Sequence, residues 1–469
     1  MKAKNVKKII IFLSIFIELI QAFLLHAQPS EPTGRRLRTI VEEKFSDQSV
    51  IIGATTGSWA FGTYTGEIMD REFSYVTPEN DFKQWRIHPD PGTWNAVEPD
   101  KWVQHIVDNN QVLRMHCPIS PQCSNWAKND ARTAEELETN MREFLKAVCE
   151  RYNGKSGFEY MDVVNETIVN GKWHHNKPGL DWECPWYKIG VDSDNNQTPL
   201  YIKMAFEIAQ QYAPDIKLIY NHHGSLSRMD DWQLIAETVN YLRNLGLRVD
   251  GIGWQAHIDN GWATPENLNR LRMIIDRAHN NNLEFHITEA SVWLRNGVSE
   301  TLFDEQAATY RAILEVLLEK RSTGKVGWNT WHIDDGHGWK TEYYPSLFDA
   351  DYTAKPAYYS IQEALENVVP SKVIEPEKKT LIKTFKLDQN YPNPFNPITE
   401  IKFVLKKSGH ISLVIYNLLG EKIETLLDGY CQADEYSTRW NGYGMPGGIY
   451  IYRLQGEYFS ETKKMILMQ

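Results

Sequence analysis

The chain has 469 residues, of which 42% are hydrophobic and 24% charged, and its formal net charge is −11 at pH 7. This length allows two or more domains with ordinary globular cores. The acidic balance argues against a nucleic-acid partner, which would require a basic surface. The 16 Trp and 23 Tyr residues suit sugar faces as well as cores. Because the number of cysteines, five, is odd, they cannot all pair within the chain, and none has C-x-x-C spacing.

The N-terminus has the pattern of a secretory signal peptide. Residues 1–8 are basic, residues 9–25 form a long apolar run, and Ala27 offers a small residue at the expected cleavage site. We therefore predict a signal peptide over residues 1–27. An uncleaved membrane anchor is the alternative. No later stretch of the sequence is apolar enough to span a bilayer.

An alternation of strands and helices follows a polar lead-in over residues 28–47. The predicted strands are 50–56, 73–77, 112–117, 160–165, 217–221, 251–256, 284–288 and 326–331. Helical spacing of apolar residues is clearest at 134–152, 200–212, 232–245, 265–280 and 304–321. This alternation predicts an α/β fold, a (β/α)8 TIM barrel over residues 48–367. A doubly wound open sheet is the runner-up, but no G-x-G-x-x-G follows the first strand.

Two predicted strands end on glutamates. Asn165 and Glu166 follow the fourth strand, and Glu289 follows the seventh. Polar or tryptophan side chains also follow other strands, including Glu79, Asn80, His116, Gln255, His257, Trp331 and Trp339. The carboxyl ends of the strands are where β/α barrels build active sites. These residues are therefore candidates for one site.

A pair of carboxyl groups is the arrangement that glycosidic bond cleavage needs. We assign Glu166 as the general acid/base and Glu289 as the nucleophile, with His257 placed to hydrogen-bond Glu289 and keep it ionised. A separation of roughly 5–5.5 Å would indicate a retaining mechanism, and one of roughly 6.5–9.5 Å an inverting mechanism. Spacing in the sequence does not decide between them.

Several motifs resemble glycoside hydrolase family 10, the endo-β-1,4-xylanases. They are residues 76–83 (VTPENDFK), 162–166 (DVVNE), 250–257 (DGIGWQAH), 287–289 (ITE), 347–349 (LFD) and 355–358 (KPAY), with Trp331 and Trp339. The resemblance implies a retaining mechanism with Glu166 as acid/base and Glu289 as nucleophile. It also implies that the sugar subsites are lined by Glu79, Asn80, Lys83, His116, Asn165, Gln255, His257, Trp331 and Trp339.

The chain departs from this family at three places beside the cleft. After the third strand the family usually shows a Trp-His pair, but here the chain reads HCPISP over residues 116–121, so that tryptophan is missing. The family's Leu-Asp after the nucleophile is here Ala290-Ser291, and the tryptophan after Lys83 is displaced to Trp85. The segment 173–197 either reshapes the cleft or packs on the surface. We expect xylan or a related plant β-glycan as substrate. Another β-glycan, or a non-catalytic glycan-binding barrel, are the alternatives.

No metal or cofactor is predicted. The histidines at 174–175, 222–223, 332 and 337 lack the H-E-x-x-H pattern, and histidine at barrel strand ends more often binds substrate or a carboxylate. The segment from Asp192 starts like a calcium loop, but Gln197 and Lys203 stand where an EF-hand needs glycine and glutamate. A solvated turn is the better interpretation.

The C-terminal part is a different domain. Residues 368–384 have the composition of a linker, and short alternating runs after it predict a small all-β sandwich over 385–469. Residues 387–397 (LDQNYPNPFNP), 415–420 and 447–450 resemble the C-terminal sorting domain of the type IX secretion system. This resemblance implies interaction with secretion machinery, passage across an outer membrane, and a secreted or cell-surface location. We separately expect the protein to be a monomer. A carbohydrate-binding module, using Tyr436, Trp440 and Tyr443, is the alternative.

Overall fold

The computed structural model describes residues 31–175, 182–368, 385–406, 408–417, 422–456 and 459–468. The chain divides into two compact units, residues 1–370 and 371–469. The predicted signal peptide and residues 369–384 of the predicted linker lie outside the described residues. Within the described part of the chain, no helix is both long and apolar enough to cross a membrane.

The first unit is built on a closed barrel of eight parallel strands. They are β1 (Val50–Thr56), β2 (Tyr75–Pro78), β3 (Val112–Met115), β4 (Phe158–Asn165), β5 (Lys217–His222), β6 (Gly251–Trp254), β7 (Glu284–Trp293) and β8 (Val326–Thr330). Each strand pairs with the next, and β1 pairs with β8 to close the barrel. The predicted TIM barrel is confirmed. β7 extends beyond its predicted end because its last residues pair with a short strand, His257–Asp259.

Helices follow the strands around the barrel. They are α1 (Leu37–Lys44), α2 (Tyr64–Glu72), α3 (Gln84–Ile87), α4 (Val97–Asp108), α5 (Ala134–Tyr152), α6 (Leu200–Tyr212), α7 (Met229–Asn244), α8 (Pro265–Asn280), α9 (Glu300–Lys320) and α10 (Pro356–Asn367). The sequence sets their starts: α5 begins with a capping box between Thr133 and Glu136, and α8 with a Thr264 cap followed by proline. Both devices satisfy free N–H groups of the first turn.

Helix α1 lies inside residues 28–47, which we expected to be a polar lead-in. Its Leu37, Ile40 and Val41 are buried in the same core as the barrel strands. These apolar positions are three and four residues apart, the spacing of one helix face. The pattern is short and surrounded by charged residues, so it did not stand out in the sequence.

The second unit is an antiparallel all-β domain, as predicted. Its strands are β9 (Phe385–Leu387), β10 (Ile398–Leu405), β11 (Gly409–Tyr416), β12 (Lys422–Cys431), β13 (Glu435–Asn441), β14 (Gly448–Gly456) and β15 (Phe459–Leu467). They form one sheet of three strands and one of four. Trp440 is 1% exposed, and Tyr436 stacks on Phe403. Trp440 therefore belongs to the core of this unit and cannot form part of the exposed aromatic platform that a carbohydrate-binding module would need.

Candidate active site

Glu166 stands at the carboxyl end of β4 in a left-handed backbone conformation, with φ of 55°. Ala256 and His332, after β6 and β8, also have positive φ, of 58° and 69°. Such conformations cost about 1–3 kcal/mol for residues other than glycine and cluster at functional sites. Three such residues therefore lie at the strand ends where the sequence predicts the site, while other residues with positive φ lie in turns or bends elsewhere, such as Gln48, Asn110 and Asn282.

The carboxyl of Glu166 is held from two sides. Gln255 Nε2 donates to Glu166 Oε1 at 2.9 Å, and the indole N–H of Trp182 donates to Oε2 at 3.0 Å. Glu166 itself is buried. Both of its oxygens thus accept hydrogen bonds from neutral groups, which fixes the direction in which the carboxyl faces.

Glu289 is surrounded by donors and cations. Asn221 Nδ2 donates to its Oε1 at 2.9 Å, and His257 Nε2 lies 3.2 Å from its Oε2. Burial raises the pKa of Glu289, but His116, His257 and Arg114 outweigh burial and lower the pKa to about 2. The carboxylate is therefore ionised at neutral pH, as a nucleophile must be.

An amide chain joins the two glutamates. Asn165 Oδ1 accepts hydrogen bonds from Asn221 at 3.0 Å and from Gln255 at 3.1 Å. The same two donors bind Glu289 and Glu166, respectively. The two carboxyl groups therefore belong to one continuous hydrogen-bonded network across β4, β5, β6 and β7.

The charge beside Glu289 comes from a buried cluster on β3 and β4. His116 Nδ1 lies 2.8 Å from Asp162 Oδ2, and its Nε2 lies 3.9 Å from Glu289 Oε1. Burial lowers the pKa of His116, but Cys117, Glu289 and Asp162 together raise it to about 10. Arg114, fully buried, pairs with Asp162 at 3.4 Å. A protonated His116 therefore stabilises the Glu289 carboxylate.

The pKa of Glu166 shifts in the direction opposite to that expected of an acid. Burial raises it, as does the charge of Glu289, but His223 and the hydrogen bonds from Gln255 and Trp182 lower it, and the net direction is downward. Burial and His222 lower the pKa of His223 to about 4. His223 is consequently neutral at neutral pH, where its lowering effect on Glu166 is lost.

The remaining predicted site residues line the same end of the barrel. Lys83 Nζ donates to Asn80 Oδ1 at 2.9 Å, and Glu79 lies 3.9 Å from His332 Nε2. The Trp331 ring is 5.3 Å from the His116 ring and 6.1 Å from the His257 ring. Trp339, 46% exposed, lies 5.1 Å from His257. The predicted residues thus lie at the end of the barrel that carries Glu166 and Glu289, and Trp339 is partly exposed there.

Ser291 takes a place beside His257 that the family resemblance gives to a carboxylate. Its Oγ lies 3.1 Å from His257 Nδ1, and Trp293 stacks on the other side of the ring, at 5.7 Å and 5°. The imidazole that contacts Glu289 is therefore oriented by a neutral hydroxyl and an aromatic face.

Several residues of the site were not among the predicted ones: Arg114, Asp162, Trp182, Asn221, His223 and Ser291. Asp162 and Asn221 lie on the strands that deliver the predicted residues, so their positions near strand ends were the available signal. Ser291 was noticed only as a departure from the family pattern. Trp182 lies in the segment 173–197, whose sequence does not show where it folds.

Two tryptophans of that segment have different surroundings. Trp182 contacts Glu166, whereas Trp186 is buried and donates to Ser120 O at 2.9 Å. Asp192, the start of the rejected calcium loop, accepts from Tyr241 at 2.8 Å. Within the described residues, no group of three or more His, Cys, Asp or Glu side chains could hold a metal ion.

Comparison with known proteins decides the family. The model of glycosyl hydrolase family 10 matches residues 37–364. The chain belongs to glycosyl hydrolase family 10. A model described as a secretion system C-terminal sorting domain matches residues 389–468, which confirms the second predicted resemblance. This second match indicates that the protein is exported.

Relatives within family 10 agree with this assignment. The chain is similar to endo-1,4-beta-xylanase A of Caldicellulosiruptor saccharolyticus, with 30% identity covering 69% of this chain and 96% of that protein. It is also similar to endo-1,4-beta-xylanase B of Thermotoga neapolitana, with 27% identity covering 64% and 83%. The predicted enzyme class, a glycoside hydrolase of the xylanase type, is confirmed.

Solved structures of family 10 match the barrel. Xylanase 10B from Thermotoga petrophila in complex with xylobiose shares 27% identity with a TM-score of 0.61, covering 72% of this chain and 99% of that chain. Native xylanase 10B from Thermotoga maritima shares 28% identity with the same TM-score, covering 71% and 98%.

Proposed function

We propose that this chain is a secreted, retaining endo-β-1,4-xylanase with Glu289 as nucleophile and Glu166 as acid/base. The observation that carries the proposal is the unequal environment of the two carboxyl groups. Glu289 lies among cationic and amide donors that lower its pKa to about 2, whereas the side-chain hydrogen bonds to Glu166 come from the neutral groups Gln255 and Trp182. Two carboxyl groups with different environments take different roles.

The chemistry follows from these environments. The ionised Glu289 attacks the anomeric carbon while Glu166 gives its proton to the leaving oxygen, which forms a glycosyl-enzyme and releases the shortened chain. Glu166, now a carboxylate, then takes a proton from water as that water attacks the same carbon from the opposite side. Two inversions give net retention of configuration.

The remaining cleft residues have binding roles in this proposal. Glu79, Asn80, Lys83, His116, Asn165, Gln255 and His257 offer hydrogen bonds to sugar hydroxyls, and Trp331 and Trp339 offer ring faces. The half-exposed ring of Trp339 is suited to stack on a pyranose face. The names of the relatives support xylan as the polymer.

A second β-glycan is kept as an alternative because of the departures beside the cleft. The tryptophan of the family's Trp-His pair is missing from residues 116–121, which follow β3. Ser291 stands in place of a carboxylate. Both changes lie close to the subsites, so they affect preference among β-glycans and leave the two glutamates in place.

The test is reducing-sugar release by the purified protein from xylan, mixed-linkage glucan and carboxymethylcellulose, with Glu166→Ala as control. We expect release from xylan with an early drop in viscosity, as internal cleavage requires, and its loss in the variant. Cleavage of mixed-linkage glucan or carboxymethylcellulose without cleavage of xylan would mean that the cleaved polymer is the substrate. No cleavage of any of them by the wild type would contradict it.

The proposed location is the cell surface or the medium, and the proposed state is a monomer. The sorting-domain match supports passage through secretion machinery, with the predicted signal peptide at residues 1–27 for the first membrane. Size-exclusion chromatography with light scattering tests the monomer, and fractionation of cells with and without residues 385–469 tests the location.

A further inference from the structure

Trp182 makes a contact with the acid/base that the proposed mechanism does not use. Its indole N–H donates to Glu166 Oε2 at 3.0 Å, yet its side chain remains 42% exposed. A tryptophan that only fills the core would be buried. This ring is instead partly exposed, with its one polar atom on the carboxyl that must give and take the proton.

The backbone around Trp182 is tied to the backbone of Glu166 through one histidine. His174 Nδ1 lies 3.0 Å from the carbonyl oxygen of Glu166, and its Nε2 lies 3.2 Å from the carbonyl oxygen of Trp182. Both partners are acceptors, so the ring donates to one of them when neutral and to both when protonated. The His174 ring also lies 4.6 Å from the Trp182 ring. The indole is thereby held opposite the carboxyl.

We propose that Trp182 is a positioning residue for Glu166, whose indole N–H orients the acid/base carboxyl and sets the alkaline limit of hydrolysis. This inference rests on the proposed function of Glu166. The direction of the effect follows from the hydrogen bond, because a donor stabilises the carboxylate more than the neutral acid. Removing that donor favours the protonated acid.

Two titratable groups near Glu166 also contact Trp182: the His223 ring lies 5.2 Å and the His174 ring 4.6 Å from the Trp182 ring. Glu289 lies on β7, His257 follows β6, His223 follows β5, and His174 precedes Trp182 along the chain. Gln255 keeps its hydrogen bond to the other oxygen of Glu166. Trp182→Phe keeps an aromatic ring beside both histidines and removes only the indole N–H, so its effect on the pH profile reports the loss of that donor.

The experiment compares kcat/KM as a function of pH for the full-length wild type, Trp182→Phe and Trp173→Phe, with xylan as substrate. Trp173 is the matched control because it lies in the same segment and its indole donates to Asn196 O at 3.1 Å, away from the glutamates. We expect the alkaline limb of Trp182→Phe to move up by about one pH unit, the size expected for one hydrogen bond to a carboxylate.

The control variant, Trp173→Phe, should keep the alkaline limb of the wild-type pH profile. Coincident limbs in all three proteins would overturn the proposal, as would an equal shift in both variants. A folded Trp182→Phe that hydrolyses nothing would also overturn it, since the loss of one donor leaves the Glu166 carboxyl in the site. Thermal unfolding of the variants establishes that they are folded.

A measurement without substrate keeps the inference separate from the proposed function. Tryptophan fluorescence is titrated with pH in the wild type, Trp182→Phe and Glu166→Gln. A transition present only in the wild type supports a direct link between Trp182 and the titration of Glu166. The same transition in Trp182→Phe would overturn it. Failure of the proposed function would instead appear as a wild type that cleaves none of the polymers.

Discussion

Asn221 on β5 donates from Nδ2 to Oε1 of Glu289 on β7 at 2.9 Å, and this hydrogen bond fixes the carboxylate of the proposed nucleophile. The side chain of Asn221 has room for this contact because residue 253 on β6 is a glycine. A Cβ at Gly253 would stand 2.4 Å from Asn221 Oδ1 and 2.7 Å from Thr288 Cγ2. The glycine therefore permits the hydrogen bond that fixes the nucleophile.

Gly253→Ala is expected to lower kcat by about 10²-fold, because displacement of a catalytic group by about 1 Å has effects of that size. Crowding would also cost roughly 1–3 kcal/mol of stability. Gly251→Ala, at the other end of the same strand, is the matched control: its Cβ would stand 2.7 Å from Ile219 Cδ1 on β5 and 3.0 Å from the carbonyl oxygen of Glu284 on β7, and its nearest neighbours include no atom of Asn221 or Glu289. Steady-state kinetics and thermal unfolding of both variants check this. Equal losses of kcat would contradict the role given to Gly253.

His257 is expected to set part of the acid limb of the pH profile. The pKa of Glu289 is lowered to about 2, so the ionised nucleophile is present above that pH and is lost as pH falls through it. In His257→Leu a hydrogen bond that lowers this pKa is removed. The acid limb of kcat/KM should move up by about one pH unit. His410→Asn, in the C-terminal unit, should leave the limb unchanged, and an unmoved limb in His257→Leu would contradict the account.

Lys355 is expected to stabilise the loop that follows β8. Its Nζ donates to Asp335 Oδ2 at 2.8 Å and to Tyr344 O at 2.7 Å, and both charged side chains are buried. Lys355→Met leaves the Asp335 carboxylate without its cation, at a cost of about 3–5 kcal/mol. The double variant with Asp335→Leu should recover much of that loss. Chemical denaturation of the three proteins measures it, and a neutral single variant would be inconsistent with a buried pair.

The sequence predicted those residues of the site that lie at the ends of barrel strands, because the strands can be recognised from their apolar residues. Glu166 and Glu289 follow apolar strands, so a parallel barrel places both at the same end, and the amide chain through Asn165 agrees with that placement. Trp182 could not be predicted in this way, because it does not lie at the end of a barrel strand and its contact with Glu166 is made from the segment 173–197. At Ser291 the sequence showed that the family's carboxylate is missing. It did not show that the Ser291 hydroxyl contacts His257 Nδ1.

The central claim is the division of roles between Glu166 and Glu289. The most direct measurement is the configuration of the product that Glu166→Ala and Glu289→Ala form from an aryl β-xylobioside in the presence of azide. In Glu166→Ala the glycosyl-enzyme on Glu289 still forms, and azide attacks it to give the β-glycosyl azide. In Glu289→Ala azide enters the space of the missing carboxylate and gives the α-glycosyl azide. The opposite configurations, or a β-azide from both variants, would contradict the assignment of nucleophile and acid/base.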